Sequence, residues 1–204
     1  MSNFLQILLL FLASYTYLFI WWRATREELT SQERVAIGAS VLFFMALGWF
    51  GGNLASNYIP TIPGFLDPKG LGFWAAIING VLVLYLTTSR LSSNFLTFFD
   101  CHVHALLWFS ALLSGNHSVL FFVSLLVYYW SRSNYKSFSW YKSGKIGFAS
   151  LFSLTIYFVA RAVVEFGQIS LLSFASLGRF GGLLSVAAAF LLTYSLFLNS
   201  KKYN

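Results

Sequence analysis

Within residues 156–168, IYFVARAVVEFGQ, the side chains of Tyr157, Arg161 and Glu165 recur at four-residue intervals. A tyrosine hydroxyl donates a hydrogen bond, a guanidinium grips a phosphate or carboxylate through two parallel N–H groups, and a carboxylate orients what the others hold. On a helix each four-residue step turns about 400°, a drift of only about 40°, so the three side chains share roughly one face. A charge buried at membrane depth costs about 2.5–3.5 kcal/mol on insertion scales, so such groups turn toward a bundle interior or a wet cavity. Two readings follow. Arg161 and Glu165 neutralise each other between helices, or they form a polar pocket in which Arg161 holds a phosphate, Glu165 orients it and Tyr157 donates a hydrogen bond.

The elements that carry these residues follow from composition. Hydrophobic residues make up 58% of the 204, aromatics 20% and charged residues only 9%, with a mean hydropathy of +0.71. A soluble domain of this size does not hide that much apolar surface. Uncharged runs near the length that crosses a bilayer predict seven transmembrane helices, at 4–22, 35–58, 71–89, 95–114, 118–131, 146–166 and 180–198. The expected fold is an all-α integral membrane protein, a seven-helix bundle forming one polytopic domain over 1–204, because a barrel needs a polar/apolar alternation that these runs lack. The run at 4–22 has no basic residue ahead of it and no small-residue cleavage site after it, so it reads as a first span and not as a signal peptide. The fifth span is short, and 168–178 reads as an interfacial or re-entrant piece between spans.

Basic residues set the orientation, since Lys and Arg collect in cytoplasmic loops. Arg23, Arg26, Arg34, Arg90, Arg132, Lys136, Lys142, Lys145, Lys201 and Lys202 fall in one set of alternate connections, against Lys69 and Arg179 in the other. The N-terminus is then outside and the C-terminus cytoplasmic, and Tyr157, Arg161 and Glu165 lie in the outer half of the sixth span. The net charge of +7 is mainly a topology signal with some attraction to anionic headgroups, and nucleic acid is not an expected partner.

Other polar residues carry less. Cys101 is the single cysteine, which excludes an intramolecular disulfide. His102 and His104 lie two apart, about 200° around a helix, unfavourable for a shared metal, and Asp100 with His104 sits at the cytoplasmic end of the fourth span. No metal or cofactor is expected. His117, beside Asn116, reads as a loop residue on the outer side. Trp21, Trp22, Trp49, Tyr58, Trp130, Trp140 and Tyr141 fall near span ends, where amphipathic rings favour the headgroup zone. The glycines of GWFGG and GRFGG suit close helix packing.

With these residues in place the chain resembles the prolipoprotein diacylglyceryl transferases, seven-span enzymes of the bacterial cytoplasmic membrane. YFVARAVVEF is similar to that family's Tyr-x3-Arg-Phe-x2-Glu-Phe stretch, with Gly147 ten residues ahead of Tyr157. DPKGLGFWAAIINGVLVLYLTTSRLSSNFLTFFD resembles its Gly-Gly-x-Ser-Phe-His-Gly-Gly segment and the helix that follows. LLSGNHS sits where the signature Gly-Arg-x-Gly-Asn begins, and GGLLS (181–185) resembles the Gly-Gln-x-x-Ser of the last helix. The resemblance implies transfer of diacylglyceryl from phosphatidylglycerol to the lipobox cysteine of a lipoprotein signal peptide. It implies Arg161, Glu165 and Tyr157 as catalytic residues, with Asn116, Gly115 and Arg161 binding the substrate.

The chain departs from that pattern in four places. Trp74 stands where the family's histidine belongs, Leu113 replaces the signature arginine, Phe121 stands near the expected glutamate, and Phe4 falls about where the first helix carries a tyrosine. Losing one electrostatic stabiliser lowers rate on the order of 10²–10³. The alternative to an active enzyme is a relative that binds lipid or a partner without the chemistry. A small multispan glycerol phosphate acyltransferase is a weaker match, as its Gly-Gly-Lys-Gly type loop is missing.

Overall fold

In the computed structural model every described element is helical. The structure describes residues 3–55, 71–90, 95–113, 118–137, 141, 146–167 and 177–200. They form α1 (Asn3–Ala24), α2 (Ser31–Ala55), α3 (Leu71–Arg90), α4 (Phe95–Leu113), α5 (Ser118–Asn134), α6 (Phe148–Gly167) and α7 (Leu177–Ser200). Five of these, α1 to α4 and α7, are long and apolar enough to cross a membrane, and they mark a multi-pass membrane protein. α5 has 17 residues, and the apolar part of α6 runs over Phe148–Val164. Hydroxyls inside the apolar helices bond to their own backbone one turn back, as Thr16 does to the Leu12 carbonyl, Thr88 to Leu84 and Thr193 to Ala189. In lipid this satisfies a polar group without a second helix.

Helix bounds fall close to the uncharged runs, with one instructive shift. α2 begins at Ser31, four residues before the predicted 35, because Thr30 and Glu33 form a capping box. The Thr30 amide and hydroxyl donate to the Glu33 carboxylate at 2.9 and 2.7 Å, and the Glu33 amide donates to Thr30 Oγ1 at 3.4 Å. Of the 168–178 piece, 168–176 lies outside the described residues, and 177–178 opens α7.

By internal packing the chain divides into two compact units, Met1–Ser118 and Val119–Asn204. In the first, α1 packs on α2, α2 on α3, α3 on α4, and α4 returns to α1, closing a four-helix bundle. Glycine sets the α2–α3 spacing. A Cβ on Gly48 would lie 2.6 Å from the Ala75 carbonyl oxygen, and one on Gly52 would lie 2.8 Å from the Gly72 Cα. This is close small-residue packing of the kind that membrane helices use.

The interior of this bundle is not wholly apolar. The Tyr17 hydroxyl of α1 and His102 Nδ1 of α4 share a hydrogen bond of 2.8 Å, with Tyr17 at 0% and His102 at 1% exposure. The His102 ring also lies edge-on to Tyr17, and its Nε2 faces the notch at Gly80 that the Met45 side chain fills. Membrane hydrogen bonds average about 0.6 kcal/mol and reach about 1.7, so Tyr17→Phe is expected to destabilise by about 1 kcal/mol. Adding His102→Leu to Tyr17→Phe should recover part of that loss, because replacing both partners by apolar groups leaves nothing unsatisfied. A double-mutant cycle of unfolding midpoints checks this, and strict additivity of the two changes would contradict it.

Two adjacent tryptophans have opposite fates. Trp22 is 41% exposed, as a headgroup-zone ring should be, while Trp21 is 1% exposed. Trp21 lies against Gly38 and donates to the Arg34 carbonyl at 2.8 Å, so it ties α1 to α2 and does not anchor at the membrane surface. Trp49 and Tyr141 are buried too, while Tyr58 and Trp140 lie outside the described residues. Arg34, one of the basic residues that indicated orientation, is itself buried. It lies over the Trp22 ring at 4.7 Å and donates to the Thr30 and Trp22 carbonyls and to Ser31 Oγ, which makes it a staple of the α1–α2 turn.

Candidate functional site

The second unit holds α5, α6 and α7, with α6 packed along α7. The chain enters α6 through Gly147, whose φ of 75° lies in the left-handed region and whose carbonyl accepts the Leu151 amide at 3.0 Å. Any other L-residue there is strained by about 1–2 kcal/mol. Just upstream, the Tyr141 hydroxyl donates to the Ile146 carbonyl at 3.0 Å and pins the entry. The glycine ten residues before Tyr157 thus has a local reason, which is to start the helix.

From that start α6 turns one polar stripe inward. Ser150, Ser153, Tyr157 and Arg161 are all buried, while Val159, Val163 and Phe166 on the opposite face are exposed. Tyr157 and Arg161 are each 2% exposed, and Arg161 is among the largest fully buried side chains of the protein. The four-residue spacing therefore places tyrosine and guanidinium on one buried face. Glu165 continues along the same helix, its side chain outside the described residues.

The other helices of this unit bury hydroxyls and rings of their own. Ser124 of α5 and Ser185 of α7 are buried, and Ser124 donates to the Leu120 carbonyl. The Phe121 ring of α5 stacks on Tyr157 with centroids 4.7 Å apart and an interplanar angle of 23°. Phe158 meets the Tyr157 ring edge-on at 5.1 Å. Toward the other end of α6, Trp130 of α5 packs on Phe152 and Phe148 stacks on Phe152. A guanidinium keeps its charge under all ordinary conditions, so Arg161 places a permanent cation in an apolar helix stretch. Buried cations of this kind pair with acidic side chains or backbone carbonyls or hold an anionic ligand, and planar two-point contact with a carboxylate or phosphate suits a guanidinium best.

No family model, curated protein or solved structure matches the chain. Gly115 and Asn116, which the resemblance implies as substrate-binding, and His117 lie outside the described residues. Trp74 is buried in the first turn of α3, edge-on to Phe73 at 5.8 Å, and serves as a core residue there. Leu113, at the end of α4, is half-buried. Among the described residues no three His, Cys, Asp or Glu side chains gather into a set that would hold a metal ion. The Phe121 stack and the Tyr17–His102 bond were both missed by sequence reasoning. Neither has a local signal, since Tyr17 and His102 are 85 residues apart.

Proposed function

We propose that the protein is a prolipoprotein diacylglyceryl transferase-like membrane protein that takes phosphatidylglycerol through the phosphate, with Arg161 as the phosphate clamp. The burial of Arg161 on the same α6 face as Tyr157 carries this reading. In it α5 and α6 count as spans, the N-terminus is outside, and the clamp lies in the outer half of a bacterial inner membrane.

The reaction that the resemblance implies is a displacement at carbon. A signal-peptide cysteine sulfur forms the new C–S bond to the diacylglyceryl carbon, the C–O bond to phosphate breaks, and glycerol phosphate leaves with the electron pair. The thiol proton ends on the departing phosphate monoester, so the step balances without a further reactant. Arg161 would hold the phosphate as its negative charge rises, an interaction stronger in the transition state than before it. Tyr157 would donate to the same oxygens and Glu165 would orient the phosphate.

Trp74 favours a second reading. The residue where the family's histidine belongs is a packed core ring, which suits a relative that binds lipid without transferring it. One assay separates the two. Purified full chain is mixed with phosphatidylglycerol labelled in its acyl chains and with a lipobox peptide, and the label is followed into the peptide. Label transfer supports the enzyme, and bound lipid with no transfer supports the second reading. Neither binding nor transfer would sink both.

A further inference from the structure

We propose that Phe121 is a positioning residue for the phosphate site, holding the Tyr157 ring so that its hydroxyl, not its face, is what the bound lipid meets. The inference rests on the phosphate-clamp reading of Arg161. Its observation is separate: the parallel stack of Phe121 on Tyr157, between α5 and α6, with both rings buried.

Phe121 stands near the position where the family resemblance expects a glutamate. In its place is a ring that offers no charge and no hydrogen bond, yet it stacks on Tyr157 with centroids only 4.7 Å apart. Phe158, the next residue along α6, closes on the same tyrosine from the edge. A phenol stacked on one face and met by a second ring at a steep angle loses freedom to swing about its side-chain torsions. A ring held in this way fixes the direction of its hydroxyl. One helical turn further along the same face stands Arg161, so a hydroxyl fixed in direction adds a second point of contact to a phosphate held by the guanidinium.

A ligand matched to this arrangement is an anionic phosphodiester on an aliphatic headgroup, as in phosphatidylglycerol. Ligands that depend on ring stacking with Tyr157 are disfavoured, because Phe121 already occupies a face of that ring. The preference comes from placement, so it should respond to the aromatic ring at 121 and not merely to the volume there.

The test uses detergent-solubilised full chain carrying fluorotyrosine at position 157 alone, titrated with short-chain phosphatidylglycerol. Phe121→Leu is expected to weaken binding about three- to tenfold, the range that an aromatic pair supplies, and to broaden or shift the fluorine signal of residue 157 before lipid is added. Phe121→Tyr keeps the ring and should restore both. Phe148→Leu is the control for packing, since Phe148 is also buried and stacks on Phe152 in the same unit, nine residues before Tyr157 along α6. It should lower the unfolding midpoint like Phe121→Leu while leaving affinity and fluorine signal unchanged. Equal affinity losses for Phe121→Leu and Phe148→Leu would overturn the proposal. So would unchanged affinity in Phe121→Leu while Arg161→Ala abolishes binding, a result that leaves the clamp itself standing. If Arg161→Ala binds like the wild type, the clamp fails and the positioning role fails with it.

Discussion

Arg161→Ala should weaken phosphatidylglycerol binding on the order of 100-fold. A two-point guanidinium contact supplies two charge-assisted hydrogen bonds at about 1.5 kcal/mol each or more, and about 3 kcal/mol corresponds to two powers of ten in affinity. Arg161→Lys keeps the charge and loses the fork, so about a tenfold loss is expected. Lys136, exposed in the 3-10 turn after α5, is the charge-matched control. Lys136→Ala removes one unit of positive charge without touching the buried face of α6 and should leave the affinity within about twofold, since exposed charges contribute little. Titration of short-chain phosphatidylglycerol into the solubilised chain measures all three. Equal losses for Arg161→Ala and Lys136→Ala would mean that the lipid responds only to overall charge.

The other large effect lies in the first unit. Gly52→Leu is expected to destabilise by about 3 kcal/mol, at the upper end of overpacking costs. What a Cβ at Gly52 would meet is backbone, namely the Gly72 Cα and amide nitrogen and the Leu71 carbonyl oxygen, all at 2.8 Å. Backbone cannot rotate aside as a flexible side chain does, so α2 and α3 must separate and lose the seam that Gly48 also shares with Ala75. Its chain neighbour gives the contrast. Gly51 has nothing within 4 Å of its added Cβ, and Gly51→Leu should change stability by no more than about 0.5 kcal/mol. Unfolding midpoints in denaturing detergent measure both. A Gly52→Leu midpoint that matches Gly51→Leu would show that the seam does not hold the bundle together.

What sequence made legible was the helices; what it left hidden was their inward faces. In a soluble protein apolar residues point in and polar ones out, so periodicity reveals the buried side. Here lipid and bundle interior are both apolar, and Phe11 or Phe190, widely exposed, cannot be told by type from Phe98 or Phe148, which are buried. Trp21 and Trp22 make the same point in adjacent positions. Only polar groups inside apolar runs broke the ambiguity. Arg161 and Tyr157 did so, because charge and hydroxyl at helical spacing had to face inward, and the structure buries both. The capping box at Thr30 and Glu33 is also written in the chain, and it starts α2 four residues before the uncharged run does. Tyr17 and His102 were not readable as a pair, since nothing in the spacing between α1 and α4 announces their register.

A phosphate clamp requires that the Arg161 guanidinium touch a lipid phosphate. Solid-state NMR of the full chain, labelled at arginine side-chain nitrogens and reconstituted in phosphatidylglycerol bilayers, measures that contact directly through nitrogen–phosphorus dipolar coupling. A coupling at hydrogen-bond distance that disappears in Arg161→Lys is the predicted result. The same coupling surviving intact in Arg161→Lys would assign it to surface arginines such as Arg23 or Arg132, and no coupling in the wild type would mean that Arg161 holds something other than the phosphate.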